Sequence, residues 1–123
     1  MRLLLDTHVL LWWLADDPRL SASHRTLLAD VGNTAFVSSV SIAEISLKAS
    51  LGKLEAPSGV ADEAIRGGFE ILDFSAVHAE ELRALPWHHR DPFDRMLIAQ
   101  ARVERLAVLS VDRRVRDYDV PVQ

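Results

Sequence analysis

Apolar positions along the chain fall into short blocks that switch between two periods. Arg2 to Leu5 is a brief leucine run of the kind found in buried strands. Thr7 to Ala15 is Leu-rich and unbroken, which predicts a helix, and Ser21 to Val31 predicts a second, capped by Ser21 or Ser23. Ala35 to Ser38 is strand-like. Ser41 to Leu51, with apolar residues at 42, 45, 47 and 49, predicts a helix stopped by Gly52. A short helix over Val60 to Arg66, a strand over Phe69 to Leu72 and a helix over Ala76 to Leu85 follow. The clearest helix is Asp91 to Arg105. Asp91 is a natural N-cap, Pro92 suits the first helical position, and Phe93, Leu97 and Ala101 recur one turn apart. Ala107 to Leu109 predicts a last strand, with a helical turn after Asp112.

Strands and helices alternate throughout. That order predicts an α/β fold with a mainly parallel sheet, covered on both faces. The breaks at Asp17-Pro18, Gly52, Pro57-Ser58-Gly59, Gly67-Gly68 and Pro86 are too short for interdomain linkers. Residues 1–123 therefore read as a single domain, and no internal repeat interrupts it.

Composition narrows the classes. Hydrophobic residues make up 49% of the chain and charged residues 26%, which excludes wholesale disorder. Cysteine is absent, so disulfide scaffolds, zinc fingers and thiol catalysis are excluded. The longest apolar run, Val9 to Ala15, is seven residues, far short of the roughly 20 that span a bilayer. Asp6 comes too early for a secretory signal. The expectation is a soluble, cytoplasmic protein with no membrane contact. Net charge is −4, yet Arg83 to Arg116 holds eight arginines against four acids. That basic third reads first as a solvated helix surface and second as a face for phosphate.

In parallel α/β sheets, function gathers where strands end and the following helices begin. Asp6 follows the first predicted strand, Glu44 lies in the first turn of the helix after the second, Asp94 opens the long helix, and Asp112 follows the last strand. Each has an ordinary local reading. Asp6 and Asp112 can cap helices, Glu44 can close a capping box with Ser41, and Asp94 can complement a helix dipole. Together they predict more. Carboxylates brought within hydrogen-bonding range cannot all stay ionised without a cation. An all-oxygen donor set with hydroxyls nearby (Thr7, Ser110) suits Mg²⁺ or Mn²⁺. Two such ions could activate a water for phosphodiester hydrolysis.

These segments resemble the PIN-domain ribonucleases, specifically the VapC-type toxins of toxin–antitoxin pairs. LLLDTHVLLWWL is similar to their first motif, SVSIAEISLKASLGKL to the second, HRDPFDRMLIAQA to the third and LSVDRRV to the fourth. The resemblance spans Leu3 to about Val115. It implies a three-layer α/β/α sandwich and a metal-dependent endoribonuclease that cleaves RNA with a metal-activated water. It also implies Asp6, Glu44, Asp94 and Asp112 as catalytic, metal-holding acids for Mg²⁺ or Mn²⁺, with Thr7 and Ser110 beside them. The implied partners are a VapB-type antitoxin and a second copy in a homodimer. Ala43 stands where many of these proteins carry Trp, and Ser110 where Thr is commoner.

Around this core the expectations are looser. Asp91 reads as a cap, with a supporting metal role as the alternative. Lys48, four residues after Glu44, is placed to pair with an acid or contact phosphate. Arg95, Arg113 and Arg114 are candidate RNA contacts, with an ion pair for Arg95 and a solvated surface for the other two as the alternatives. His8 reads equally as a phosphate contact and as a packing or capping residue, and His89 as a loop-positioning residue with catalysis as the alternative. Of the adjacent Trp12 and Trp13, one is expected in the core and one at an interface. Two other functions compete: a non-catalytic PIN-fold binding module, and a receiver-type phosphoacceptor built around Asp73. The latter lacks a lysine after the last strand.

Overall fold

The computed structural model describes residues 1–123. Four strands form one sheet: β1 (Arg2–Leu5), β2 (Thr34–Ser38), β3 (Glu70–Leu72) and β4 (Ala107–Leu109). Their order is β3-β2-β1-β4, and every pairing is parallel. The helices are α1 (Thr7–Leu14), α2 (Ala22–Ala29), α3 (Ser39–Ser50), α4 (Val60–Arg66), α5 (Ala76–Glu81) and α6 (Pro92–Glu104). Single 3₁₀ turns follow α5 at Leu82–Ala84 and β4 at Arg113–Asp117. Near the chain end Val122 bridges to Val108, extending the sheet beyond β4.

The pleat explains the layers. Successive side chains of a strand point to opposite faces, and β1 and β4 are apolar on both. Leu4 and Val108 enter one core, with Leu97, Ile98, Ala101 and Tyr118. Leu5 and Leu109 enter the other, with Val9, Leu10, Ile45 and Phe69. Two cores separated by one sheet make the α/β/α sandwich. Trp12 and Trp13 are both half-buried. Trp13 meets Phe69 edge-on at 4.7 Å, and its ring occupies the space a side chain on Gly67 would need.

Strand order fixes where the sheet opens. From β1 the chain steps to β2 and β3 on one side, then returns to place β4 on the other. Ligands of open α/β sheets bind at such a reversal, beyond the carboxyl ends of the flanking strands. Here those ends are Leu5 and Leu109, followed by Asp6 and Ser110. Asp73 follows β3, an edge strand, and is exposed. It has none of the central placement that the receiver reading requires.

Helix α3 differs from its predicted start. β2 runs into it without a loop, and Ser38, extended at φ −77° and ψ 143°, is the N-cap, accepting from the Val40 N–H. Glu44 therefore lies beyond the first turn and closes no capping box. Ser38 also donates to the buried Gln100 of α6. One hydroxyl thus couples the helices that carry Glu44 and Asp94.

Candidate active site

Asp6 caps α1 through the Val9 N–H at 2.8 Å and is buried. Burial pushes its carboxyl above the usual range, against the Ser110 hydroxyl, the Val9 N–H, His8 and His24, all of which favour the ionised form. Ser110 also accepts from the Asp112 N–H at 3.0 Å. It therefore stands between the acids that leave β1 and β4. The buried Thr7 hydroxyl donates to Ser41 at 3.0 Å, which holds the start of α1 to α3.

Glu44 is 5% exposed. Its Oε2 accepts from Lys48 at 2.6 Å, one turn along α3, whereas its buried Oε1 has no hydrogen-bond partner. Lys48 remains partly exposed. Its ammonium is held above its usual pKa by the Glu44 hydrogen bond, against burial, with further support from Asp91 and Asp94.

Asp94 lies in the first turn of α6. Burial raises its pKa to about 6, helped by the charges of Asp91, Asp6 and Glu44 and opposed by His89. Two of the other predicted acids, Asp6 and Glu44, therefore act electrostatically on Asp94. Asp91 is the N-cap, as expected, accepting from the Phe93 and Asp94 N–H groups at 2.9 and 3.2 Å.

Asp112 completes the set through His89. The imidazole Nε2 lies 2.8 Å from Asp94 Oδ2 and 3.2 Å from Asp112 Oδ2. Its Nδ1 accepts the Asp91 N–H at 3.1 Å, which leaves Nε2 to carry the proton and donate to both acids. Ligand atoms of His89, Asp94 and Asp112 lie within 4.8 Å of one another. Burial raises the Asp112 pKa, but hydrogen bonds from the Arg114 side chain and backbone and from His89 outweigh it and hold the carboxyl low.

His89 is the site residue that sequence reading undervalued. It is 3% exposed and its own N–H donates to the Tyr118 hydroxyl at 2.9 Å. The available signal was a histidine two residues before an N-cap aspartate, at a spacing that lets Nδ1 take the cap's N–H.

Arg95 departs from expectation. It is neither an RNA-facing nor an ion-paired side chain, being 4% exposed. Its guanidinium donates to the carbonyls of Leu82, Leu85 and Pro86 and to the Tyr118 hydroxyl. A helix advances about 100° per residue, so the position after Asp94 turns under the segment preceding α6 rather than into the cleft. Arg113 and Arg114 are exposed, Arg114 pairing with Asp112 at 3.2 Å.

Ligand atoms of His89, Asp94 and Asp112 thus gather at the sheet reversal, and the charges of Asp6 and Glu44 bear on Asp94 there. The profile of the PIN domain matches residues 3–121. The chain belongs to the PIN-domain family. Solved PIN-like structures share its fold at low identity. VapBC2 from Rickettsia felis, bound to a DNA fragment from the promoter, aligns at TM-score 0.70 and 16% identity, covering 100% of this chain and 98% of that one. VapBC from Salmonella typhimurium, bound to DNA, gives 0.67 and 16%, with 100% and 97% covered. FitAcB from Neisseria gonorrhoeae gives 0.65 and 23%, with 98% and 95% covered. Among curated proteins, none matches the chain. No helix of this PIN domain is long and apolar enough to cross a membrane.

Proposed function

We propose that this PIN domain is a Mg²⁺- or Mn²⁺-dependent endoribonuclease of the VapC type, restrained by a VapB-type antitoxin. The observation that carries the reading is the electrostatic crowding of Asp94 by Asp6, Glu44 and Asp91, with Asp112 linked to it through one imidazole. PIN domains are generally nucleases, and the neighbours of similar fold are named as VapBC and FitAB assemblies.

The residues fit a metal. The acids offer only oxygen donors, and Glu44 Oε1 is buried with no partner, a costly state that a cation would relieve. Asp6, Glu44, Asp94 and Asp112 are the holding set. When bound, the ion supplies a water of lowered pKa and positive charge beside the phosphate. The protein does the positioning. Ser110 orients Asp6 and the Asp112 backbone, Thr7 fixes α1 against α3, and His89 aims Asp94 and Asp112 through its Nε2. Lys48 is placed to meet a phosphate at the rim, and the exposed Arg113 and Arg114 lie on the approach to Asp112. Asp91 acts as the cap. A homodimer in the cytoplasm completes the proposal.

The test is cleavage of a mixed pool of structured RNAs by the purified chain, with Mg²⁺ or Mn²⁺ against EDTA. Cuts are expected only with metal. They should disappear in Asp94→Asn and Asp6→Asn chains that still melt cooperatively. Metal-independent cutting, or near-parental activity in either variant, overturns the acid quartet. A chain that binds RNA and never cuts it is the non-catalytic module instead.

A further inference from the structure

Trp87 is 75% exposed in the segment that leads into α6. The ring is nonetheless held in place. One indole face lies 3.7 Å from the Arg95 guanidinium carbon, close enough for a strong cation–π contact. Arg95 is itself immobilised by backbone carbonyls on the 82–86 segment and by Tyr118. The buried arginine sets the plane of the tryptophan from below and leaves the outer face to solvent. A hollow of about 310 Å³ opens beside it, lined also by Arg83, Arg90, Pro92 and Met96. No acid lines it. Arg83 and Arg90 are exposed, and neither takes part in an ion pair.

We propose that Trp87, flanked by Arg83 and Arg90, is a stacking platform for one base of the RNA strand whose backbone passes the acid cluster. The inference rests on the nuclease reading and adds where the strand is gripped. A fixed π-face accepts any base, and unpaired arginines beside it select a ligand carrying negative charge; a nucleotide supplies both. Pre-ordering by Arg95 lowers the entropy lost when the base docks. Position agrees. Only His88 separates Trp87 from His89, so their Cα atoms are at most about 7 Å apart, and His89 touches Asp94 and Asp112. Most of the lining is apolar, so the exposed, unpaired Arg83 and Arg90 are what favour a charged strand over an apolar segment.

Binding to a short, 5′-fluorescein single-stranded RNA tests this, read by anisotropy in the Asp94→Asn background so that the strand survives. Trp87→Ala and Trp87→Leu should each weaken binding by roughly tenfold or more, while Trp87→Phe keeps most of the affinity. Arg83→Gln with Arg90→Gln should weaken binding and flatten its salt dependence. Because Trp87 is mostly exposed, the melting temperature should hold in every variant, and with Asp94 intact so should the response to Mn²⁺. Unchanged affinity in Trp87→Ala overturns the platform, as does equal binding by the Leu and Phe variants, which would mean that apolar area suffices. A fall from two-chain to one-chain mass in Trp87→Ala gives the surface to a second copy and also overturns it. Failure of the nuclease reading looks different: the chain with Trp87 and Asp94 intact neither binds nor cuts RNA in Mn²⁺.

Discussion

Asp94 carries the most informative single perturbation in the molecule. Its carboxyl holds a proton to about pH 6 in the folded chain, against about 3.9 for an unperturbed aspartate. Between those values the native state binds a proton that the unfolded state has lost. Linkage then gives the sign. The stability contributed by protonated Asp94 is fully present below about pH 4 and disappears as pH rises through about 6. Without metal, an uncharged substitute should therefore help at neutral pH. Asp94→Asn, whose Oδ1 can still accept from His89, is expected to melt above the parent in EDTA at pH 7.5 and close to it at pH 4. A melting difference that stays flat from pH 4 to 7.5 would show that crowding by Asp6, Glu44 and Asp91 is absent.

At the scale of elements, α6 shows what a sequence can and cannot reveal. Its start was legible because Asp91, Pro92 and the one-turn apolar spacing act locally, and the helix forms over Pro92–Glu104. The α3 start was not. Ser38, Ser39 and Ser41 are all competent caps, and only the direct entry from β2 decides for Ser38. The sequence singles out the four candidate acids by their order after strands and along the following helices, and for Glu44 it misplaces the helix start. Arg95 departs from its expectation because its partners are three main-chain carbonyls, which carry no side-chain signature, and the Tyr118 hydroxyl, which reaches it only once β4 has returned to the sheet. His89 was undervalued for a related reason: its link to Asp112 depends on β4 lying beside β1. The same helix gives a test of Asp91. If Asp91 serves as a cap, Asp91→Ser keeps the hydrogen bonds to Phe93 and Asp94 and leaves stability near that of the parent, while Asp91→Ala costs about 1 kcal/mol. Both should retain Mn²⁺ binding, measured by calorimetry. Loss of binding in Asp91→Ser would make Asp91 a ligand.

Over the whole molecule, the holding set joins distant parts of the chain. Asp6 and Asp112 lie near opposite ends of the sequence, and Glu44 and Asp94 sit on helices coupled through Ser38 and Gln100. Unfolding disperses all four, so a metal bound to them binds the native state alone, and its full binding energy appears as stability. At Mn²⁺ a hundredfold above its dissociation constant, the gain is about 2.7 kcal/mol. For a domain of this size that corresponds to a melting rise on the order of 10 °C. Part of the gain comes from removing the repulsion that keeps Asp94 protonated, so the rise should be larger at pH 7.5 than at pH 5, where protons compete with metal. Asp94→Asn should show the opposite pairing: a higher melting point than the parent in EDTA, and a smaller rise when Mn²⁺ is added. Scanning calorimetry of both chains, with and without Mn²⁺ at the two pH values, reads all of these differences together. An equal rise in parent and variant would place the ion elsewhere, at exposed acids. No rise in the parent would mean that the carboxylates meet at the sheet reversal without forming a metal site.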